Sequence, residues 1–356
     1  MTAAGAHKSQ NATRNDDLPP AEIIFGRSAA MQVIRQKVQK IAGSSIPVLI
    51  EGHNGTGKGV LAHYLHRQSL VASGPFVKVN CAAIPGTLLE SELFGYEKGA
   101  FTGAYSSKPG RAEMADGGSL FLDGIDEIDL GLQAKLLQIL QDGQFSRIGG
   151  REDIQVQIRI ICAANRPLEL QVSAGRFRQD LYYRINVVNL QMPPLRARVE
   201  DLPELVSHFL ERHRKRHGSM AQPISPGLMH LLKGHTWPGN IRELENLIER
   251  YVILGSEEAV SAELLHTGRA RSVAELPMNG PIHLKAVTRQ AVQELERKII
   301  LNVLEANHWN RKRTASELRI SYRALLYQIR QAGLPPKRSP RRPEGSQPSN
   351  PILDTD

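Results

Sequence analysis

Gly52-His53-Asn54-Gly55-Thr56-Gly57-Lys58 sets glycines and a lysine at the spacing G-x-x-x-x-G-K. That spacing is chemistry for phosphate. Glycines let successive backbone N–H groups turn toward anionic oxygens, and a following helix N-terminus adds partial positive charge. Lys58 supplies a point charge for β- and γ-phosphates. The next residue is Gly59, so the hydroxyl that usually meets magnesium after the lysine is missing. A second candidate is Asp123, which ends the apolar run Ser119-Leu120-Phe121-Leu122. A carboxylate at a strand's C-terminal end beside a phosphate loop can hold Mg²⁺, so Asp123 is the expected metal ligand.

These residues act together only if a sheet brings them to one edge. Pro47–Glu51, Phe76–Asn80, Ser119–Asp123 and Val156–Ala163 are apolar runs of strand length. Helical patterns alternate with them at Val60–Leu70, Thr87–Phe94 and Leu130–Gln141. Before them, Ser28 is expected to cap a helix with Met31, Ile34, Val38 and Ile41 on one face. Strands alternating with helices predict an α/β fold, a mainly parallel sheet covered on both faces. After Pro193-Pro194 the strand signals stop, and Val199–Leu254 reads as successive helices. The expected divisions are a disordered arm at 1–22, the α/β unit at 23–192, a helical unit at 193–266 and a linker at 267–284. A second helical module follows at 285–334, then a disordered, proline-rich tail at 335–356.

Composition excludes several classes. No apolar run approaches the ~18 residues of a membrane span, and the polar start lacks the apolar core of a secretory signal. Two cysteines, Cys81 and Cys162, build neither a disulfide scaffold nor a cysteine zinc site, and a reducing cytosol fits. The net charge of +9 is concentrated, because residues 281–342 hold 14 Lys and Arg against four Glu, a local +10. Such a module points to nucleic acid; a solvated basic tail is the competing reading. Glu294–Leu304 reads as a helix with Leu295, Ile299, Ile300 and Val303 inward. Arg311–Leu318 and Ser321–Gln331 read as two short helices, with Ser321 as N-cap and Leu325, Leu326 and Ile329 packing inward. That is helix-turn-helix spacing for double-stranded DNA. Ser321, Tyr322, Arg323 and Gln328 are the expected base-edge or phosphate contacts, and Arg311, Lys312, Arg313 and Thr314 the phosphate contacts. A small helical dimerisation module is the other reading of the same pattern.

Gly99-Ala100-Phe101-Thr102-Gly103-Ala104 spells G-A-F-T-G-A, which general structural rules do not explain. On it, and on the phosphate loop, residues 23–334 closely resemble the sigma-54-dependent bacterial enhancer-binding activators, which are AAA+ ATPases. The resemblance implies ATP as cofactor and a hexameric ring. It also implies that the Gly99–Ala104 loop contacts the sigma-54 RNA polymerase holoenzyme and remodels its closed promoter complex. Asn80 sits at the family's switch asparagine and Asn165 at its first sensor. Arg178 and Arg184, in Phe177–Arg184, match two arginines that reach the neighbouring subunit's nucleotide. Arg242, in Trp237–Leu244, matches the second sensor. The C-terminal module resembles a Fis-type DNA-binding domain.

Two departures stand out. The family's acidic strand ends Asp-Glu, the Glu polarising the attacking water; here Asp123 is followed by Gly124, then Ile125, Asp126 and Glu127. Asp126 is the substitute on offer, though it points elsewhere if the strand continues. Losing a water-positioning group costs on the order of 10²–10⁴ in rate, so ATP binding is expected more firmly than fast hydrolysis. The second departure is that some 22 residues precede the ATPase domain, where most members carry a receiver or sensing domain. Control by a separate regulatory protein or by expression level is then expected. The leading expectation is a cytoplasmic activator of sigma-54 transcription. The alternative is a DNA-bound, nucleotide-dependent hexamer partner or inhibitor with little hydrolysis of its own. An unrelated DNA-processing ATPase is disfavoured by G-A-F-T-G-A. His213 and His217 share metal-ligand spacing but sit in a run of positive charge, and are read as surface.

Overall fold

The computed structural model describes residues 18–271, 300–301, 303–304, 307 and 309–331. Helices α1 (Ala21–Phe25) and α2 (Ala29–Ile41) lead into β1 (Val48–Glu51), α3 (Lys58–Arg67), β2 (Phe76–Asn80) and α4 (Gly86–Phe94). A short antiparallel ladder of β3 (Gly95–Tyr96) and β4 (Lys108–Pro109) precedes α5 (Arg111–Met114) and β5 (Ser119–Asp123). Then come α6 (Leu130–Asp142), a second ladder of β6 (Gln144–Ser146) and β7 (Asp153–Gln155), and β8 (Arg159–Ala164). Helices α7 (Leu168–Ser173) and α8 (Gln179–Ile185) and strand β9 (Val188–Gln191) complete the α/β part.

Five strands pair in the order β2-β5-β8-β1-β9, every pair parallel, as the alternating pattern predicts. Successive side chains of a strand point to opposite faces, so each strand feeds two cores. Leu120 and Leu122 of β5 join Leu49, Val79 and Cys162 on one face. Phe121 joins Val48, Ile50, Ile161 and Leu190 on the other. Register then aligns the C-terminal edge: Asn80 opposite Asp123, Asp123 opposite Ala163, and Glu51 opposite Ala164. That edge is where a doubly covered parallel sheet binds its ligand.

Three details differ from the sequence reading. Val156 lies outside β8, which starts at Arg159, and β9 was not anticipated. Ser28 occupies the N-cap position of α2, but its side chain makes no cap bond and donates instead to buried Asp201, at 2.8 Å.

Helices α9 (Leu202–His217), α10 (Pro226–Gly234), α11 (Asn240–Leu254) and α12 (Glu257–Arg271) form the helical part, around a core of Leu205, Phe209, Trp237, Leu244 and Ile248. Trp237 is fully buried and its indole N–H donates to Leu232 O. Residues 267–271, expected in the linker, belong to α12; the rest of that linker, most of the N-terminal arm and the tail lie outside the described residues.

Helices α13 (Arg311–Glu317) and α14 (Tyr322–Gln331) belong to a separate compact unit, Arg269–Asp356. Its core gathers Ile300, Leu304, Ala315, Leu325 and Ile329. Leu295 and Ile299 lie outside the described residues, and Leu304 fills the inner position nearest the expected Val303.

Candidate functional site

The phosphate loop joins β1 to α3 at the aligned sheet edge. Its glycines are required one by one. Gly52, Gly55 and Gly57 have φ of 155°, 77° and 98°. A Cβ at Gly55 would fall 2.2 Å from Gly239 O, and one at Gly52 2.7 Å from Met192 O. Gly57 caps α3 in the left-handed conformation, which opens the first turn's N–H groups for an anion. Lys58 is buried and donates to Gly52 O (2.7 Å), Asn165 Oδ1 (2.8 Å) and His53 O (3.1 Å). Burial holds its ammonium below the usual lysine range; the charges of Asp123 and Asp126 oppose that shift, and Arg242 adds to it. Four side chains expected in the site, Asn165, Asp123, Asp126 and Arg242, therefore act on one nitrogen.

Gly124 ends the strand. At φ 84° and ψ 44° it is left-handed, and the chain turns back into a short 3-10 segment, Ile125–Glu127. Asp126 therefore does not continue the line of β5. Its Oδ1 accepts from Asn165 N at 3.2 Å, and its Oδ2 is buried without a hydrogen-bond partner. Asp123 meets the Lys78 ammonium at 3.0 Å. A Cβ at Gly59 would sit 3.5 Å from that same Lys78 nitrogen, so a lysine occupies the neighbourhood of the missing hydroxyl. Asn80 is exposed beside Asp123 in the register.

Several partners were not anticipated. Buried Arg198 donates to Thr56 O at 2.8 Å, with burial lowering its pKa to about 10 against the opposing charge of Asp201. Asn240, at φ 54°, donates to Asn54 O (2.8 Å) and accepts from Leu195 N (2.9 Å). Ile241 N donates to Gly55 O at 2.9 Å. The first turn of α11 thus grips the loop backbone, and Arg242 on that turn is exposed beside it. Buried Gln133 accepts from Arg178 N (2.7 Å) and fixes the start of α8. The Arg178 side chain is exposed and paired with Asp180 at 2.7 Å, while Arg184 donates to Leu140 O. Sequence offered no spacing that would pick out Arg198, Asn240 or Gln133, because each acts through backbone far along the chain.

Residues 99–104 form a closed tip. Gly99 N donates to Ala104 O (2.9 Å) and Ala104 N to Phe101 O (3.0 Å). Gly99 and Gly103 are left-handed with open space around them. Phe101 is half-exposed and packs edge-on against Tyr96, and Tyr105 is 88% exposed. The base is rigid by contrast: β3 pairs with β4, and Arg147 forks Glu113 (2.6 Å) and Glu97 (2.9 Å), which raises the arginine pKa and lowers both carboxyls.

In the C-terminal unit Ser321 Oγ accepts from Ala324 N at 3.1 Å, as an N-cap does. Tyr322 and Arg323 are exposed, Gln328 is partly so, and Tyr327, which was not selected, is 68% exposed. Lys312 and Arg313 are exposed and Arg311 partly so. Thr314 is a correction. It is fully buried, its hydroxyl donating to Asn310 O at 3.0 Å, so it serves the core and is not free for DNA. The apolar ring formed by Ala315, Leu325 and Ile329 needs a small residue at that inward position of α13.

Comparison with known proteins fits each part. Residues 24–191 match the family model "Sigma-54 interaction domain", 196–276 match "AAA+ ATPase lid domain", and 291–331 match "Bacterial regulatory protein, Fis family". Regulatory protein AtoC of Escherichia coli (strain K12) is 47% identical over 319 residues, covering 88% of this chain and 68% of that protein. The response regulator protein PilR of Pseudomonas aeruginosa is 37% identical over 321 residues, covering 90% and 72%. The crystal structure of NtrX from Brucella abortus in complex with ATP superposes with a TM-score of 0.64 at 35% identity, over 87% of this chain and 69% of that one. A structure of the same protein with ADP gives 0.63 at 34% identity.

Proposed function

The chain belongs to the sigma-54-dependent activators, AAA+ proteins with a Fis-type helix-turn-helix, and from that premise we propose that it hydrolyses ATP to remodel the closed complex of sigma-54 RNA polymerase at promoters whose enhancer DNA it binds. The observation that carries this reading is the Gly99–Ala104 tip, whose half-exposed Phe101 and exposed Thr102 offer an apolar and a hydroxyl contact, mounted on a paired ladder in the same domain as the phosphate loop. Left-handed glycines with open space around them at the tip, and a tied base, suit a contact that must be presented and withdrawn as the nucleotide changes.

In this reading the loop from Gly52 to Gly59 encloses the phosphates, Lys58 neutralises them and Arg242 approaches from the helical part. Asp123 is the side chain that would hold Mg²⁺, which supplies charge neutralisation to the triphosphate. Asn80 and Asn165 sense the nucleotide, and Arg178 and Arg184 act on that of a neighbouring copy. Fingers supplied in trans need a ring, so a hexamer is part of the proposal. Exposure of both arginines supports them in that role. Asp126 takes the place of the acid absent at Gly124: the left-handed turn returns its carboxylate to Asn165, and one oxygen is buried without a partner. Domain divisions at 23–192 and 285–334, a helical part from 193 that runs on through α12 to Arg271, and a cytoplasmic location belong to the same proposal. Among the described residues no helix is long and apolar enough to cross a membrane.

Thr102→Ala tests the reading, because Thr102 is on the tip and remote in sequence from the phosphate loop. ATP turnover is expected within about twofold of wild type, with transcription from a sigma-54 promoter abolished. Normal activation by that variant would overturn the proposal.

One observation favours a second reading. With Gly124 in place of an acid and Lys78 bound to Asp123, the chain suits a partner or inhibitor that binds ATP and assembles but barely hydrolyses it. Phosphate release from the purified protein separates the two: turnover that stays at background with polymerase and enhancer DNA present selects the second.

A further inference from the structure

Histidines four residues apart on a helix face the same way, and the charge run around His213 and His217 argues against a cation only while its arginines are free. They are not free. Arg212 is paired with Glu245 at 3.2 Å and Arg214 donates to Ala221 O. What faces the two imidazoles is acidic, Glu245 and Glu249 of α11. Glu249 Oε1 lies 3.5 Å from His213 Nδ1 and 3.0 Å from His217 Nε2. One donor atom from each of these three residues lies within 4.8 Å of the others. Ligands sharing one tetrahedral zinc at bond lengths of ~2.0–2.1 Å stand about 3.3 Å apart, so Glu249 already stands at nearly the required separation from each imidazole.

His213 is the second and independent observation. Its side chain is 98% buried, being 2% exposed, yet neither ring nitrogen has a hydrogen-bond partner. Buried polar atoms in native proteins are partnered, and an imidazole without one calls for an explanation. A metal on Nδ1 supplies it. The other nitrogen, Nε2, lies 3.9 Å from Glu245 Oε1, close enough for that carboxylate to become the outer partner that commonly orients a metal-bound histidine. Among the described residues, Arg216 is the one Lys or Arg paired with Glu249, at 3.6 Å from its Oε1, and with a side chain 68% exposed it has solvent to move into.

We propose that His213, His217 and Glu249 bind one divalent transition cation, zinc foremost, which ties α9 to α11. Two imidazoles and one carboxylate suit borderline zinc and not the all-oxygen shells of magnesium or calcium. Water completes the fourth position.

The test uses the intact chain stripped of metal, titrated with Zn²⁺ against a chromophoric chelator, with Co²⁺ as a spectroscopic stand-in. One Zn²⁺ per chain is expected, undisturbed by excess Mg²⁺ or Ca²⁺, with Co²⁺ giving absorption of tetrahedral type. His217→Gln and Glu249→Gln should each weaken zinc at least tenfold, and Glu245→Gln about 10–100-fold as an outer partner. Arg216→Gln should tighten it. Zinc should raise the unfolding temperature of wild type but not of His217→Gln. The latter changes a partly exposed residue in the last turn of α9, so its fold is checked by unchanged nucleotide binding without metal. Sub-stoichiometric zinc, displacement by Mg²⁺, or equal zinc affinity in wild type and His217→Gln would each overturn the proposal.

Discussion

Asp126 and Gly124 form a single unit of chemistry. A side chain at φ +84° costs about 1–2 kcal/mol in an L-residue, so the glycine is what allows the turn that returns Asp126 to the site. Asp126→Asn keeps the shape and removes the charge. Turnover is expected to fall on the order of 10²-fold or more with ATP affinity nearly unchanged, read by phosphate release beside fluorescent-nucleotide binding. Gly124→Glu, which supplies the family's acid, should instead lower the unfolding temperature and fail to raise turnover while Asp126 remains. Lys58 offers a pH test. Its ammonium loses its proton below the ordinary 10.5, chiefly through burial, so in that window the native state binds fewer protons than the unfolded chain. Stability without nucleotide should therefore gain from this group as pH rises toward 10.5, while ATP affinity, which needs the charge, falls. Calorimetric unfolding and ATP titration across that range should move in opposite directions; parallel movement would remove Lys58 as the main phosphate charge.

At the scale of elements, the grip of α11 on the phosphate loop decides how firmly nucleotide is held. Asn240 is left-handed and bonds both Asn54 O and Leu195 N. Asn240→Ala loses two bonds and keeps the strain, and should weaken ATP at least tenfold; Asn240→Gly keeps the backbone and should weaken it less. Binding titrations of the two variants give the order. The sheet was legible in sequence because apolar runs and the glycine loop are local signals, and β2 and β5 have the expected ends. Strand β9 was not, since Val188–Gln191 holds only four residues, too few for its alternation to stand out, and pairs on one side alone at the sheet edge. In the site, Lys58, Asp123 and the tip glycines carried their own spacing. Asp126 depended on a backbone reversal, and Arg198 and Asn240 on contacts with the loop from over a hundred residues away. Thr314 was misassigned because a threonine beside basic residues reads the same whether its hydroxyl faces solvent or its own helix. His213, expected at the surface, is buried, because the helix that covers it, α11, lies elsewhere in the sequence and α9's own spacing does not show it.

On the scale of the whole molecule, charge and fold divide the chain the same way. The excess of positive charge lies in residues 281–342, within the compact unit Arg269–Asp356, while the phosphate loop and the Gly99–Ala104 tip belong to the other unit. Removing residues 281–356 should abolish specific DNA binding and leave ATP binding in place. DNA affinity of the intact chain should fall steeply with salt, as neutralised phosphates release counterions. Arg323→Ala is expected to cost ~1–3 kcal/mol and relax site preference, whereas Arg313→Ala weakens specific and random duplexes alike. Mobility-shift titrations at several salt concentrations check all three; specific binding by the truncated chain would show that this unit is not the reader.

Helix α11 begins with two bonds to the carbonyls of the phosphate loop and carries Glu249 nine residues further on, about 14 Å along its axis. A rod held at one end by the nucleotide's own loop makes its other end a handle. Whatever factor a ligand gripping Glu249 imposes on ATP affinity, ATP must impose on that ligand's affinity, since the two orders of binding close one thermodynamic cycle. The coupling can therefore be weighed from the far end, by a metal isotherm taken with and without nucleotide.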